Sequence, residues 1–362
     1  MFCGVSEVKK PGVRAYRRVV PLRCLCLLLV WVAVFAAGEC RGEDSGSLSF
    51  EMKFLLDPAQ ALTGGGPTAA MQEQFALEAE RTVDLIFLET ADRDFGQQGW
   101  INRIRWKTWK KKPEYTFKKR FPVTGENYNA ALERARGEGL TGATFEVDWG
   151  YSSMTLSATW EDDKKYGEYT SLSQFTTGDA MAYAAKWMPE AEKNWSGGEW
   201  GTEKLAKAQK IGPLQMKRAK GTWADEREVT LDIIEIPGSG QVIAELSFKV
   251  EDDYATAAEL RSRMMAELDG MGVLQKKDSL KTQAIIEACL LAEPENPDCV
   301  LPEALTRLEQ GALDGCAFQY VRVGAGAELE ENALPEGVII IGTPGSSADQ
   351  YATDHGCGFI PE

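Results

Sequence analysis

Leu48-Ser49-Phe50-Glu51-Met52-Lys53-Phe54 and Ala244-Glu245-Leu246-Ser247-Phe248-Lys249-Val250, almost two hundred residues apart, carry the same pattern. Each alternates apolar and polar residues with the period of a β-strand. One face is wholly apolar. The other presents a serine, a glutamate and a lysine in a row. Both signs of charge on one strand face, repeated at two distant places, suggest a barrel whose lumen is charged and whose apolar side faces outward, under helices.

Other segments alternate in the same way. Ile101 to Trp109 places Arg103, Arg105 and Lys107 on one face, and Glu114 to Arg120 places Thr116, Lys118 and Arg120 together. Phe145 to Trp149 sets Glu146 and Asp148 opposite Phe145, Val147 and Trp149. Met154 to Trp160 opposes Thr155, Ser157 and Thr159 to four apolar residues, Met216 to Thr222 pairs Arg218 with Lys220, and Thr230 to Ile236 carries Asp232 among isoleucines. Alternation by itself also fits an open antiparallel sheet with one solvated face.

These segments resemble, in order, the CYTH family, also called triphosphate tunnel metalloenzymes. Its opening Glu-x-Glu-x-Lys is similar to Ser49-Phe-Glu51-Met-Lys53, and its next strand, glycine and Arg-x-Arg to Phe87-Leu-Glu89-Thr90, Gly99 and Arg103-Ile-Arg105. Thr116-Phe-Lys118, Glu146-Val-Asp148, Met216-Lys-Arg218 (with the lysine of the family's Lys-x-Arg lost), Asp232 and Glu245-Leu-Ser247 follow, and Ser279-Leu-Lys281 resembles the closing segment. The resemblance covers roughly residues 48–290. Serine stands at positions 49 and 247, where the family has glutamate.

What the resemblance implies is an α+β fold: an antiparallel β-barrel, or tunnel, with flanking helices. It also implies metal-dependent hydrolysis of inorganic triphosphate, polyphosphate or another phosphorylated small molecule. Lys53, Arg103, Arg105, Lys118 and Arg218 would bind phosphate, arginine as a bidentate donor and lysine as a point charge. Glu51, Glu146, Asp148, Asp232 and Glu245 would hold Mg²⁺ or Mn²⁺, with Glu51 and Glu245 as the catalytic pair. Serine is a poor ligand for a hard cation, so a non-catalytic polyanion-binding or interaction module is the alternative. A third reading is that the lumenal charges only pair with one another.

The chain carries a formal net charge of −15. Residues 1–38 hold six basic and one acidic side chain, so the remainder stands near −20. Such a field argues against an open nucleic-acid-binding face, and a phosphate-rich ligand would need an enclosed basic site. Lys9 to Arg23 is basic, Cys24 to Val34 is almost wholly apolar, and Ala36-Ala37-Gly38 is small, the pattern of a signal peptide over 1–38. The expectation is entry into the secretory pathway, with a secreted or lumenal product and no stable membrane span after cleavage. Residues 39–47 read as a linker, 48–290 as the tunnel domain with an insertion near 169–210, and 291–362 as a small cysteine-containing appendage.

Cys289, Cys299, Cys316 and Cys357, even in number and without Cys-x-x-Cys spacing, read as two disulfides in an exported chain. The single histidine, His355, lies in the tail and has no part in the proposed chemistry. Helices are expected over Thr68–Glu80, Asn127–Arg136, Asp179–Lys186 and Tyr254–Leu268, and a buried strand over Gly337–Gly342.

Overall fold

In the computed structural model the described residues are 48–251, 253–278, 281–291, 296–313 and 315–362. The expected signal peptide, the linker, Cys40 and Ser279 lie outside them. Nine strands form the barrel. They are β1 (Ser49–Leu56), β2 (Arg81–Thr90), β3 (Trp100–Lys107), β4 (Glu114–Val123), β5 (Thr144–Trp149), β6 (Met154–Asp163), β7 (Ala208–Trp223), β8 (Arg227–Ile236) and β9 (Gln241–Val250). Their spatial order is β1-β9-β8-β7-β2-β3-β4-β6-β5, and β5 returns to β1 to close the ring. Eight contacts are antiparallel, whereas the closing contact between β1 and β5 is parallel.

The two mirrored segments are neighbours, with Glu51 opposite Lys249 and Lys53 opposite Ser247. Their apolar faces point outward. Phe50, Met52, Phe54, Leu246, Phe248 and Val250 pack in one cluster with Ala257, Leu260, Met264 and Leu268 of helix α3 (Tyr254–Gly270). Asp253 caps that helix by accepting from Thr256 N. Helix α1 (Tyr128–Gly137), capped by Asn127, covers the same cluster. The segment between β6 and β7, with helix α2 (Thr177–Trp187), covers the outer face of β2, β3 and β4 through Ile86, Leu88, Ile104 and Phe117. Only Ala69–Gln74 of the expected Thr68–Glu80 segment is helical. Gly99 enters β3 at φ 75°, and a Cβ there would stand 2.9 Å from the Arg120 carbonyl oxygen. A side chain at that position is therefore excluded twice over.

The interior is not charged throughout. Leu85 and Phe87 lie opposite Arg105 and Arg103 in the ladder, so they share the lumenal face. Together with Val83, Leu214, Met216, Ile234 and Ile236 they form an apolar cluster that takes in Ile285 and Ile286 of helix α4 (Lys281–Cys289). One half of the barrel interior is thus a packed core and the other half is a polar lumen.

The tail builds a four-stranded parallel sheet in the order β10 (Cys299–Val300), β11 (Tyr320–Val323), β12 (Ile339–Gly342) and β13 (Gly358–Pro361). Helix α5 (Ser347–His355) crosses between its last two strands. Asp349 of α5, fully buried, accepts from Thr177 N at 2.9 Å and Gly178 N at 2.8 Å, tying the tail to the start of α2. Cys289, Cys299, Cys316 and Cys357 are free thiols, so the two disulfides expected from cysteine parity are not formed. The parity argument supposes a segment too small to bury a core. This tail has one, made of Val321, Val323, Ile340, Tyr351, Ala352 and Phe359.

Candidate functional site in the barrel lumen

Strand alternation brings three carboxylates together where β1 meets β5. One oxygen each of Glu51, Glu146 and Asp148 lies within 4.8 Å of the others. Serine hydroxyls belong to this cluster: Ser49 donates to Glu146 at 3.3 Å, and Ser157 donates to Asp148 at 2.6 Å. Lys53 Nζ stands 2.7 Å from Glu51 and 2.6 Å from Asp148. Lys118 and Arg120 approach Asp148 at 3.6 and 4.0 Å, and Lys249 pairs with Glu146.

The titration of these groups follows from that crowding. Burial pulls the Glu51 carboxyl upward, but the Lys53 and Lys118 charges overcome it and hold the group at about 2. Asp148 is likewise held well below the usual carboxylate range, with Lys118, Lys53 and Arg120 outweighing its burial. Glu146 moves the other way, pushed up by burial and then by the Glu51 charge. Two acids are therefore compensated and the third is crowded by a like charge. Lys53 is held above the ordinary lysine range because Asp148 and Glu51 outweigh its burial. Burial lowers Lys118.

A second sector lies along β3 and β4. Arg103 donates to Thr116 at 3.0 Å and stands 3.6 Å from Glu161. Arg105 pairs with Glu114 and, at 3.0 Å, with Glu161, while Lys107 reaches Glu114 at 2.8 Å. Burial and the neighbouring Arg105 charge bring Arg103 down to about 10, against the opposing pull of Glu161 and Glu114. Its buried Nε makes no hydrogen bond among the described residues.

In the third sector Arg218 grips Asp232 with two bonds of 2.7 and 2.8 Å. Lys281, at the start of α4, reaches into the lumen to 3.3 Å from Asp232 and 2.6 Å from Glu245. Asp232 is driven far down by Lys281 and Arg218 against the pull of burial.

The expected residues thus divide by place. Glu51, Glu146 and Asp148 meet in one cluster with Lys53 and Lys118 around it. Arg103 and Arg105 lie on another wall. Asp232, Glu245 and Arg218 form a separate network closed by Lys281. Ser247 lines a cavity of about 480 Å³ with Glu51, Thr230 and Lys249 at the end of the barrel where β1 begins. Sequence reading left out Glu114, Glu161 and Lys281 as members of the site. Glu161 continues the phase of Thr155, Ser157 and Thr159 one step beyond the expected strand end, so alternation carried far enough finds it. Lys281 is marked only by the resemblance of Ser279-Leu-Lys281 to the family's closing segment, and its contacts with Asp232 and Glu245 depend on a helix entering the barrel.

The carboxylates fit a hard divalent cation, since three oxygen donors converge and Glu146 stays raised by burial and by the Glu51 charge despite its pairing with Lys249. Mg²⁺ and Mn²⁺ both suit an all-oxygen set.

No protein-family model and no curated protein matches the chain. Among solved structures, it is similar to a candidate adenylyl cyclase from Hippeastrum described as revealing a dominant triphosphatase activity. That match has 13% identity and a TM-score of 0.41, covering 67% of this chain and 96% of that one. A candidate adenylate cyclase from Bacillus halodurans matches at 15% identity and a TM-score of 0.38, over 66% and 97% of the two chains. Another, from Vibrio parahaemolyticus, matches at 15% identity and a TM-score of 0.35, over 67% and 99%. The closed barrel with flanking helices is itself the architecture that the sequence resemblance implied.

Proposed function

We propose that the lumen binds a triphosphate or polyphosphate and hydrolyses it with a divalent metal ion. The observation that carries this reading is the meeting of Glu51, Glu146 and Asp148 opposite buried cations within one closed barrel. Glu51, Glu146 and Asp148 would hold Mg²⁺ or Mn²⁺. Bound there, the ion would neutralise phosphate charge and favour an attacking water. Lys53 and Lys118 border the same cluster and would contact phosphate oxygens as point charges. Arg103 has spare donor capacity and faces the lumen, so it suits a bidentate phosphate contact. Enclosure lowers the local dielectric and strengthens each of these interactions. Asp232 and Glu245 are bound to Arg218 and Lys281, so in this proposal they organise the wall and leave Glu51 as the key carboxylate.

That same saturation of Asp232 and Glu245 favours a second reading, a polyanion-binding protein without turnover. Phosphate release separates the two. The protein with tripolyphosphate and Mg²⁺ or Mn²⁺ should liberate phosphate, and Glu51→Gln should lose that activity while retaining part of the binding. Binding without release in the unaltered protein supports the second reading. Export through the secretory pathway also remains a proposal, supported by the basic and apolar segments of residues 1–38. N-terminal sequencing of the protein from its natural source tests it, and an uncut Met1 start would contradict it.

A further inference from the structure

The hairpin joining β3 to β4 stands out on a chain of net charge −15. Lys107-Thr108-Trp109-Lys110-Lys111-Lys112 holds four lysines and no acid. Trp109 is 44% exposed, one of two large apolar side chains so exposed among the described residues. Arg81 of β2 stacks on its ring, with the guanidinium 5.3 Å from the centroid. Lys107 is tied to Glu114 and Lys110 to Asp163 at 2.5 Å. Lys111 and Lys112 are exposed and have no ion-pair partner among the described residues. The acid facing Lys112, Asp162, is itself paired with Lys164.

We propose that this hairpin docks the protein on an anionic lipid surface, with Trp109 entering the interfacial layer and Lys111, Lys112 and Arg81 facing lipid head groups. An aromatic ring with an apolar body and a polar edge suits the membrane–water boundary. Lysines beside it gain from the negative surface potential. A phosphate polymer offers nothing apolar for Trp109 to bury against, which favours lipid over a free polyanion. Single-stranded nucleic acid is usually tracked along a basic groove lined with stacking platforms, whereas this is one exposed hairpin. The hairpin leaves the barrel at the end where β3 finishes and β4 begins, beside the lumenal Arg105, Lys107 and Glu114. Docking would therefore hold that end of the lumen close to the membrane surface.

The test uses vesicles of phosphatidylcholine alone and vesicles with about one third phosphatidylserine, the second set also prepared with brominated acyl chains. The full chain should sediment with the anionic vesicles and weaken as salt rises. Brominated lipid should quench part of its tryptophan emission, and Trp109→Phe should remove that part. Lys111→Glu combined with Lys112→Glu should weaken anionic-vesicle binding about tenfold or more at an unchanged thermal midpoint. Since every variant keeps the same N-terminal segment, differences between proteins read the hairpin. Quenching unchanged by Trp109→Phe, or equal binding by the lysine variant, overturns the proposal. Tighter binding to a single-stranded oligonucleotide than to vesicles, lost in the same variants, would also overturn it and assign the patch to nucleic acid.

Discussion

At the scale of single residues, compensation decides how each buried charge behaves. Glu192 is fully buried where the segment between β6 and β7 meets the barrel, beside Asn102 and near Glu89. Burial raises its carboxyl well above 4.5, and the Glu89 charge adds to the shift. An acid raised in the folded state costs stability as pH climbs above its unfolded value, because the unfolded chain ionises first. Glu192→Gln should therefore raise the thermal midpoint, by more at pH 8 than at pH 5. A gap that stays constant with pH would contradict this. Glu51 has the opposite sign. Held at about 2, it contributes stability that is present above 4.5 and lost as pH falls toward 2. In acid titrations followed by circular dichroism, Glu51→Gln should flatten the loss of stability in that window. An unchanged acid limb would show that Glu51 is not held by Lys53 and Lys118. Most lumenal residues were legible in the sequence because alternation fixes the face: Glu51, Lys53, Arg103, Arg105 and Asp148 all lie where the phase puts them. Their partners were less legible, since Lys53 bridging Glu51 and Asp148 depends on β1 meeting β5 across the closure.

At the scale of elements, helix α4 is the feature least visible beforehand. No helix is expected from the sequence over Lys281–Cys289, and Lys281 enters there only through the resemblance of Ser279-Leu-Lys281 to the family's closing segment. In the fold α4 supplies Ile285 and Ile286 to the apolar half of the interior and Lys281 to the charged half. Strand β2 shares that apolar half through Val83, Leu85 and Phe87. Arg81 to Thr90 is apolar on both faces through Leu85, Ile86, Phe87 and Leu88, because one face lies under the segment that carries α2 and the other joins the cluster of α4. Ile285→Ala should lower the free energy of unfolding by about 2–4 kcal/mol, the usual range for a large-to-small change in a packed core. Denaturant unfolding measures it, and a loss under about 1 kcal/mol would place Ile285 outside that core. The cysteines teach a related lesson. Their even number suggested covalent staples, but the parallel sheet, α5 and the Asp349 clamp on α2 hold the tail with free thiols.

Across the whole molecule, opposite charges are concentrated on the inner wall of a closed barrel while the chain as a whole is strongly acidic. Long-range repulsion of anions and short-range attraction in the lumen then act together, so binding should depend on the enclosed site and little on the outer surface. No helix among the described residues is long and apolar enough to cross a membrane. The central claim is that the lumen recognises a chain of phosphates, with Arg103 among its ligands. Titration calorimetry with tripolyphosphate and Mn²⁺ tests it most directly. The unaltered protein should bind with one site per chain, and Arg103→Gln should weaken binding roughly tenfold to a hundredfold, as expected for a charged hydrogen-bond donor removed from an enclosed site. No detectable binding of tripolyphosphate or longer polyphosphate, with or without metal, would contradict the account and leave the lumenal charges as a network that serves the fold alone.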